Sequence, residues 1–182
     1  MEKLVFVVDM INGFCKEGAL ADTHILSVTD PIIETLKKSD PESVWFVCDT
    51  HEENALEFMT FPPHCIKGTE ESEVIDELKP YITPGQVIEK NSVNTFLAIE
   101  NPENMFTKDM KEVRICGCCT DICVQNFAIT LKHYLNQHNL AAQVIVDMNT
   151  VDTFDSPVHN REEYRKSAIA QMLANGVVLE NR

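Results

Sequence analysis

The sequence predicts an α/β fold: a Rossmann-like three-layer α/β/α sandwich around a central parallel sheet of about six strands. Two observations carry this. Short β-rich apolar runs recur along the chain, and they are continuous rather than alternating, as in strands buried on both faces. Between them lie longer segments of helical period. Alternating strands and helices imply crossover connections, and so a parallel sheet covered by helices on both sides.

In chain order the expected strands are Leu4–Val8, Val44–Cys48, Val87–Ile88, Val113–Cys116, Gln143–Val146 and Val177–Leu179. The expected amphipathic segments are roughly Pro31–Lys38, Glu71–Leu78, Thr120–Gln137 and Arg161–Asn175. In the last, Tyr164, Ala168, Met172 and Leu173 recur at helical spacing, and Asn175-Gly176 supplies a stop signal. Irregular stretches fall near 10–24, 49–69, 91–110 and 147–160. In an open parallel sheet, ligands bind beyond the carboxyl ends of the strands, where strand order reverses. Asp9, the Asp49-Thr50-His51 triplet, Lys90, and Gly117 through Cys123 occupy such places.

At 182 residues the chain fits one domain, 1–182, and its 44% hydrophobic content is that of an ordinary globular protein. A net charge of −14 argues against nucleic acid or an anionic membrane as partner, since both require clustered cations. The five-residue apolar run near the N-terminus is shorter than a secretory or membrane segment. Seven cysteines, four of them within 116–123, do not form a disulfide framework and suit a reducing compartment. A cytoplasmic location is therefore expected.

Several residues could carry chemistry, and each also has an ordinary reading. Cys123 follows a strand and a tight turn. With Thr120 or Asp121 as N-cap it would sit in the first helical turn, where free amides and the helix dipole favour a thiolate. It could equally be a small buried hydrophobe. Asp9 could be a general base beside that thiol or simply a cap or turn residue. Lys90 could hold Asp9 or lie on the surface. Asp49, His51, Glu57 and His64 offer carboxylate and imidazole ligands for a divalent ion, although their spacing matches no closed structural zinc site. Cys116 and Cys119 have C-x-x-C spacing, but Cys116 falls inside a strand, and Cys116 and Cys118 read as packing residues.

Together these pieces resemble the isochorismatase-like cysteine hydrolases, and within them the nicotinamidase branch, over essentially the whole chain. The resemblance rests on LVFVVDMINGF, DTH, FPPHCIKGT, EKNSVNTF, GCCTDICV and a late TFDSPVH, in that order. It implies a triad of Asp9, Lys90 and Cys123, with a cis peptide at Cys118-Cys119 and an oxyanion hole formed by the amides of Cys119 and Cys123. It further implies a metal site of Asp49, His51 and His64, where Glu57 stands in for a histidine that some members carry. The ion would be zinc foremost, with iron or manganese alternatives. Phe14 and Phe61 match the aromatic positions that sandwich the substrate ring. The implied reaction is hydrolysis of nicotinamide to nicotinate and ammonia, as a step of NAD salvage, by a homo-oligomer. The alternatives are another amidase or hydrolase using the same triad, and a non-catalytic metal-binding or thiol-redox module. The stretch 91–110 could be a lid or an interface.

Overall fold

The computed structural model describes residues 2–181. Six strands form one sheet: β1 (Lys3–Val8), β2 (Val44–Asp49), β3 (Val87–Lys90), β4 (Glu112–Cys118), β5 (Gln143–Asp152) and β6 (Val178–Glu180). Their order is β3-β2-β1-β4-β5-β6, and every pairing is parallel. The direction of strand succession reverses between β1 and β4. A crevice therefore opens beyond their carboxyl ends, as the fold class requires.

The apolar runs become strands because helices cover both faces. In β1, Leu4, Phe6 and Val8 join one core with Phe127, Leu131 and Leu135 of α4 (Gln125–Gln137) and with Ala168 and Met172 of α5 (Arg161–Ala174). Val5 and Val7 face the other core, with Phe14 and Cys15 of α1 (Asn12–Cys15) and Ile32 and Leu36 of α2 (Thr29–Lys37). Alternate side chains of one strand thus serve opposite cores, and no polar residue interrupts them. Phe6 meets Phe127 edge-on, with ring centroids 5.0 Å apart. Burying such a side chain contributes about 1.5–3 kcal/mol. The edge strand β3 alternates exposed and buried residues, having a single protected face.

Three expectations need correction. The segment Glu71–Leu78 is not a helix; a short 3-10 turn at Glu70–Ser72 is its only helical part. Its backbone pairs instead with the chain leaving β1: Asn12 N donates to Glu73 O at 2.9 Å and Ile75 N to Met10 O at 3.1 Å. Those long-range bonds replace the i to i−4 ladder, and helical spacing alone could not reveal them. Next, β5 continues to Asp152, so the irregular stretch after it begins at residue 153. Finally, 91–110 contains a 3-10 turn (Thr95–Ala98) and the one-turn helix α3 (Pro102–Met105). Phe96 there packs on Tyr134 of α4 at 5.0 Å, and Asn94 Nδ2 donates to Thr130 Oγ1 at 2.9 Å. This stretch lies against α4, and only its Val93 reaches the principal cavity described below.

Gly117 near the end of β4 is demanded by geometry. Its φ is +108°, it pairs with Val8, and a Cβ there would run into the Val8 carbonyl oxygen. A side chain at this position would push β4 off β1 at the carboxyl edge of the sheet. Gly117→Ala should therefore cost about 2–4 kcal/mol of stability. A urea midpoint unchanged from the parent would refute that reading.

Candidate active site

Four side chains converge where β1, β2, β3 and β4 end. Asp9, the first residue past β1, has a left-handed φ of +51°. That conformation costs an L-residue about 1–2 kcal/mol, least for Asp and Asn. It is offset by bonds on every side: Asp9 N donates to Val47 O at 2.9 Å, and Oδ1 accepts from Asp49 N at 2.9 Å. The Cys118 thiol also donates to Asp9 O, at 3.1 Å. Lys90, the last residue of β3, is 2% exposed, and its Nζ lies 2.9 Å from Asp9 Oδ2. It also donates to Asp49 Oδ1 in a very short contact, and to Cys123 Sγ at 3.7 Å. Asp9, Asp49 and Cys123 bring their reactive atoms within 4.8 Å of one another.

Burial sets the charge states here. Removal from water raises the Asp9 carboxyl, and the neighbouring Asp49 charge raises it further, so that it reaches about 7 despite Lys90. Burial works against a charged Lys90, but Asp49 and Asp9 outweigh it and hold the ammonium. Burial pushes the Cys123 thiol well above its ordinary value, with Lys90 opposing and both carboxylates adding. The resting sulfur is thus a thiol, and the acceptor beside it has an affinity for protons suited to taking and returning one.

Cys123 does not occupy the first turn of a capped α-helix, as the sequence suggested. It lies in a π-helical turn, Thr120–Val124, that precedes α4, and the N-cap is Cys119 without a side-chain cap bond. Asp121 is unavailable as a cap because its carboxylate binds Thr153 and His159. The Cys118–Cys119 peptide is cis, as the resemblance implied. Cys116 and Cys118 are buried packing residues; the Cys116 thiol donates to Phe6 O at 3.3 Å.

Next to this group, Asp49, His51, Glu57 and His64 each present a ligand atom within 4.8 Å of the others. His51 Nε2 is 3.6 Å from Asp49 Oδ2 and 3.9 Å from Glu57 Oε1, and His64 Nε2 is 3.9 Å from Asp49 Oδ2. These gaps are too long for hydrogen bonds. They approach the roughly 3–3.5 Å between neighbouring ligands that each lie about 2.0–2.2 Å from one ion. Asp49 Oδ2 and His51 Nε2 are buried and lack any hydrogen-bond partner. Both imidazoles are oriented from behind: His64 Nδ1 lies 2.8 Å from Pro62 O, and His51 Nδ1 lies 3.1 Å from Asn91 Oδ1. A carbonyl oxygen only accepts, so each Nδ1 donates, and Nε2 presents its lone pair to the centre. Glu57 is held by the Val93 amide at 3.1 Å. Asp49 and Glu57 against the Lys90 ammonium leave one excess negative charge, and two when Asp9 is ionised, which favours a cation among the ligand atoms. The donor set fits such an ion.

A cavity of about 600 Å³ connects both groups; Asp49, Glu57, His64, Cys119 and Cys123 line it, with Phe14, Phe61 and Phe154 as its aromatic walls. All the residues singled out from the sequence reach this region: His51 and Lys90 sit behind the cavity surface, and Asp9 is fully buried. Asn91 and Phe154 were not singled out. Asn91 directly follows Lys90, and only contact with His51 across the strand ends reveals its role; Phe154 lay within the quoted TFDSPVH segment without a function attached to it.

Comparison with known proteins agrees with this architecture. The isochorismatase domain family model matches residues 3–180. Nicotinamidase 1 of Arabidopsis thaliana is 32% identical over 172 residues, covering 84% of this chain and 70% of its own. The crystal structure of nicotinamidase PncA from Bacillus subtilis superposes with a TM-score of 0.79 at 24% identity, over the whole of both chains. That of the pyrazinamidase of Pyrococcus horikoshii in complex with zinc gives 0.74 at 22% identity, over 98% of each chain. Among the described residues no helix is long and apolar enough to cross a membrane.

If Asn91 orients His51 as the geometry indicates, Asn91→Ala should weaken zinc binding about 10–100-fold. Competition with a chelator of known affinity reads this directly, and equal affinity in the two proteins would remove Asn91 from the account.

Proposed function

The chain belongs to the isochorismatase family, and from that premise we propose that it is a nicotinamidase, hydrolysing nicotinamide to nicotinate and ammonia through a thioester on Cys123. The observation that supports this most is the pairing of two groups on one cavity. A buried thiol faces a carboxyl raised to about 7, and a four-ligand cluster stands close by, sharing Asp49 with the lysine that holds that carboxyl. A triad alone would serve many amides. The cluster beside it suits a substrate whose ring carries a lone pair. The sequence likeness to the Arabidopsis nicotinamidase points the same way.

In this mechanism the nicotinamide ring lies among Phe14, Phe61 and Phe154, with its amide over Cys123. Asp9 takes the thiol proton as sulfur attacks the carbonyl carbon, and Lys90 keeps Asp9 aimed while neutralising part of the charge around it. The amides of Cys119 and Cys123 receive the carbonyl oxygen as it becomes an oxyanion; each such donor typically contributes about 3–4 kcal/mol. Asp9 then delivers its proton to the departing nitrogen, releasing ammonia and leaving the thioester. A water molecule, deprotonated by Asp9, attacks that thioester, and nicotinate leaves as the thiol is restored. A divalent ion held by Asp49, His51, Glu57 and His64 would supply a Lewis acid that takes the ring-nitrogen lone pair and so orients the ring. Zinc suits the two imidazoles, while the two carboxylates leave iron and manganese open.

The test is ammonia release from nicotinamide by the purified protein. Cys123→Ala should abolish turnover while leaving metal content intact, chelation should abolish it reversibly, and benzamide, which lacks the ring nitrogen, should be a poor substrate. Hydrolysis of benzamide as fast as nicotinamide would transfer the assignment to another amidase on the same triad. Metal content without turnover of any amide would favour the non-catalytic reading.

A further inference from the structure

We propose that His159 is a positioning residue that couples a wall of the cavity to the turn bearing the nucleophile; this rests on the hydrolase reading above. Asp121 lies two residues before Cys123 within the Thr120–Val124 turn. Its carboxylate accepts from Thr153 Oγ1 at 2.5 Å and from His159 Nε2 at 2.8 Å. The other nitrogen of His159, Nδ1, lies 3.1 Å from the carbonyl oxygen of Phe154, the aromatic residue that lines the cavity beside Cys119 and Cys123. One imidazole therefore touches both the nucleophile turn and the cavity wall.

The bonding fixes the place of the ring. Nε2 faces the Asp121 carboxylate and Nδ1 faces the Phe154 carbonyl oxygen, so the one ring bridges two acceptors on different elements. The ring is also sandwiched. Phe154 stacks on it at 3.9 Å and 14°, and Tyr164 of α5 covers the opposite face at 3.7 Å and 25°. Stacking on both faces fixes the plane of the ring, and His159 is 7% exposed.

The loop is fastened at Asp155, whose N donates to Asp22 Oδ2 at 3.1 Å and whose Oδ1 accepts from Arg161 N at 3.0 Å, and at His159. Between β5 and α5 its internal backbone pairing is the Ser156–His159 bridge. Arg161 Nε holds the start of the loop through Thr153 O at 2.8 Å, and its Nη2 reaches Asp22 rather than the nucleophile turn. Thr153 and His159 are what join the loop to Asp121. Releasing His159 should therefore loosen Phe154, which affects substrate binding, and Asp121, which affects the placement of Cys123. Misplacement of about 1 Å in such a site lowers rates by up to about 100-fold.

The experiment compares His159→Ala, His159→Gln and Tyr164→Leu with the parent. The readouts are kcat and KM for nicotinamide and the rate at which iodoacetamide alkylates Cys123, resolved by peptide mass. We expect His159→Ala to raise KM and lower kcat by about tenfold each, and to change Cys123 alkylation at least about threefold. His159→Gln retains a donor for Asp121 but no stacking ring, so kcat should recover while KM stays raised. Tyr164→Leu removes a partly exposed ring and should raise KM about threefold with kcat within about twofold. A folded His159→Ala protein with all three readouts within about twofold of the parent would overturn the proposal. If that variant does not fold, an unchanged KM in Tyr164→Leu overturns it instead. A parent that turns over no nicotinamide defeats the functional reading, and the alkylation rates then decide the positioning role by themselves.

Discussion

Lys90 held between two buried carboxylates is the interaction on which the rest of this site depends. An unpaired ammonium at that depth would lose its proton or unfold its surroundings, and either carboxylate alone would resist ionisation. Together they are held because three parallel strands end side by side, delivering Asp9, Asp49 and Lys90 to one point. The Asp9 backbone turns left-handed there and is tied to β2 and to Cys118. Removing the cation would leave two carboxylates facing each other and a thiol with no positive neighbour. The sheet edge is thus an electrostatic device as well as a structural one.

Asp49 joins the two halves of the site. One of its oxygens receives Lys90 while the other faces His51 and His64. The charge of the Asp9–Lys90 pair and the charge of the Asp49, His51, Glu57 and His64 cluster are therefore coupled through a single carboxylate. An ion drawing on Oδ2 would weaken the repulsion that Asp49 exerts on Asp9. Such sharing also fixes the distance between the place that would hold a ring and the sulfur that would attack its substituent. Precision of this kind comes from rigid strand ends rather than from loops.

Much of the fold was legible because burial on both faces writes a continuous apolar run. LVFVV and VWFVC are strands for the reason they read as strands. Arg161–Ala174 is a helix capped by Asn160, whose side chain accepts from Glu163 N, and it ends just before Asn175-Gly176 as the pattern indicated. The segment 71–78 misled because helical spacing also describes a chain that buries Val74, Ile75 and Leu78 while its backbone bonds elsewhere. In the site, acids, histidines and the cysteine stood out at strand ends by chemical type. Asn91, Asp121 and His159 did not, since an amide, a cap-like acid and a histidine in a loop are ordinary in sequence and acquire roles only by contact.

By itself the sequence determined the sheet, its parallel sense and the identity of the groups that could react, because periodicity and residue type are local properties. The conformational demands at Gly117 and Asp9 came from the tertiary structure, since they follow from strands meeting closely at one edge. Only the tertiary structure decided which groups meet. Residues 9, 49, 90 and 123 are far apart along the chain, and the order of strands in the sheet sets their proximity. It likewise decided that Cys123 sits in a π-helical turn anchored through Asp121 to a distant loop. Charge state follows the same rule: the proton affinities of Asp9 and Cys123 are products of burial and neighbours, and neither exists until the chain has folded.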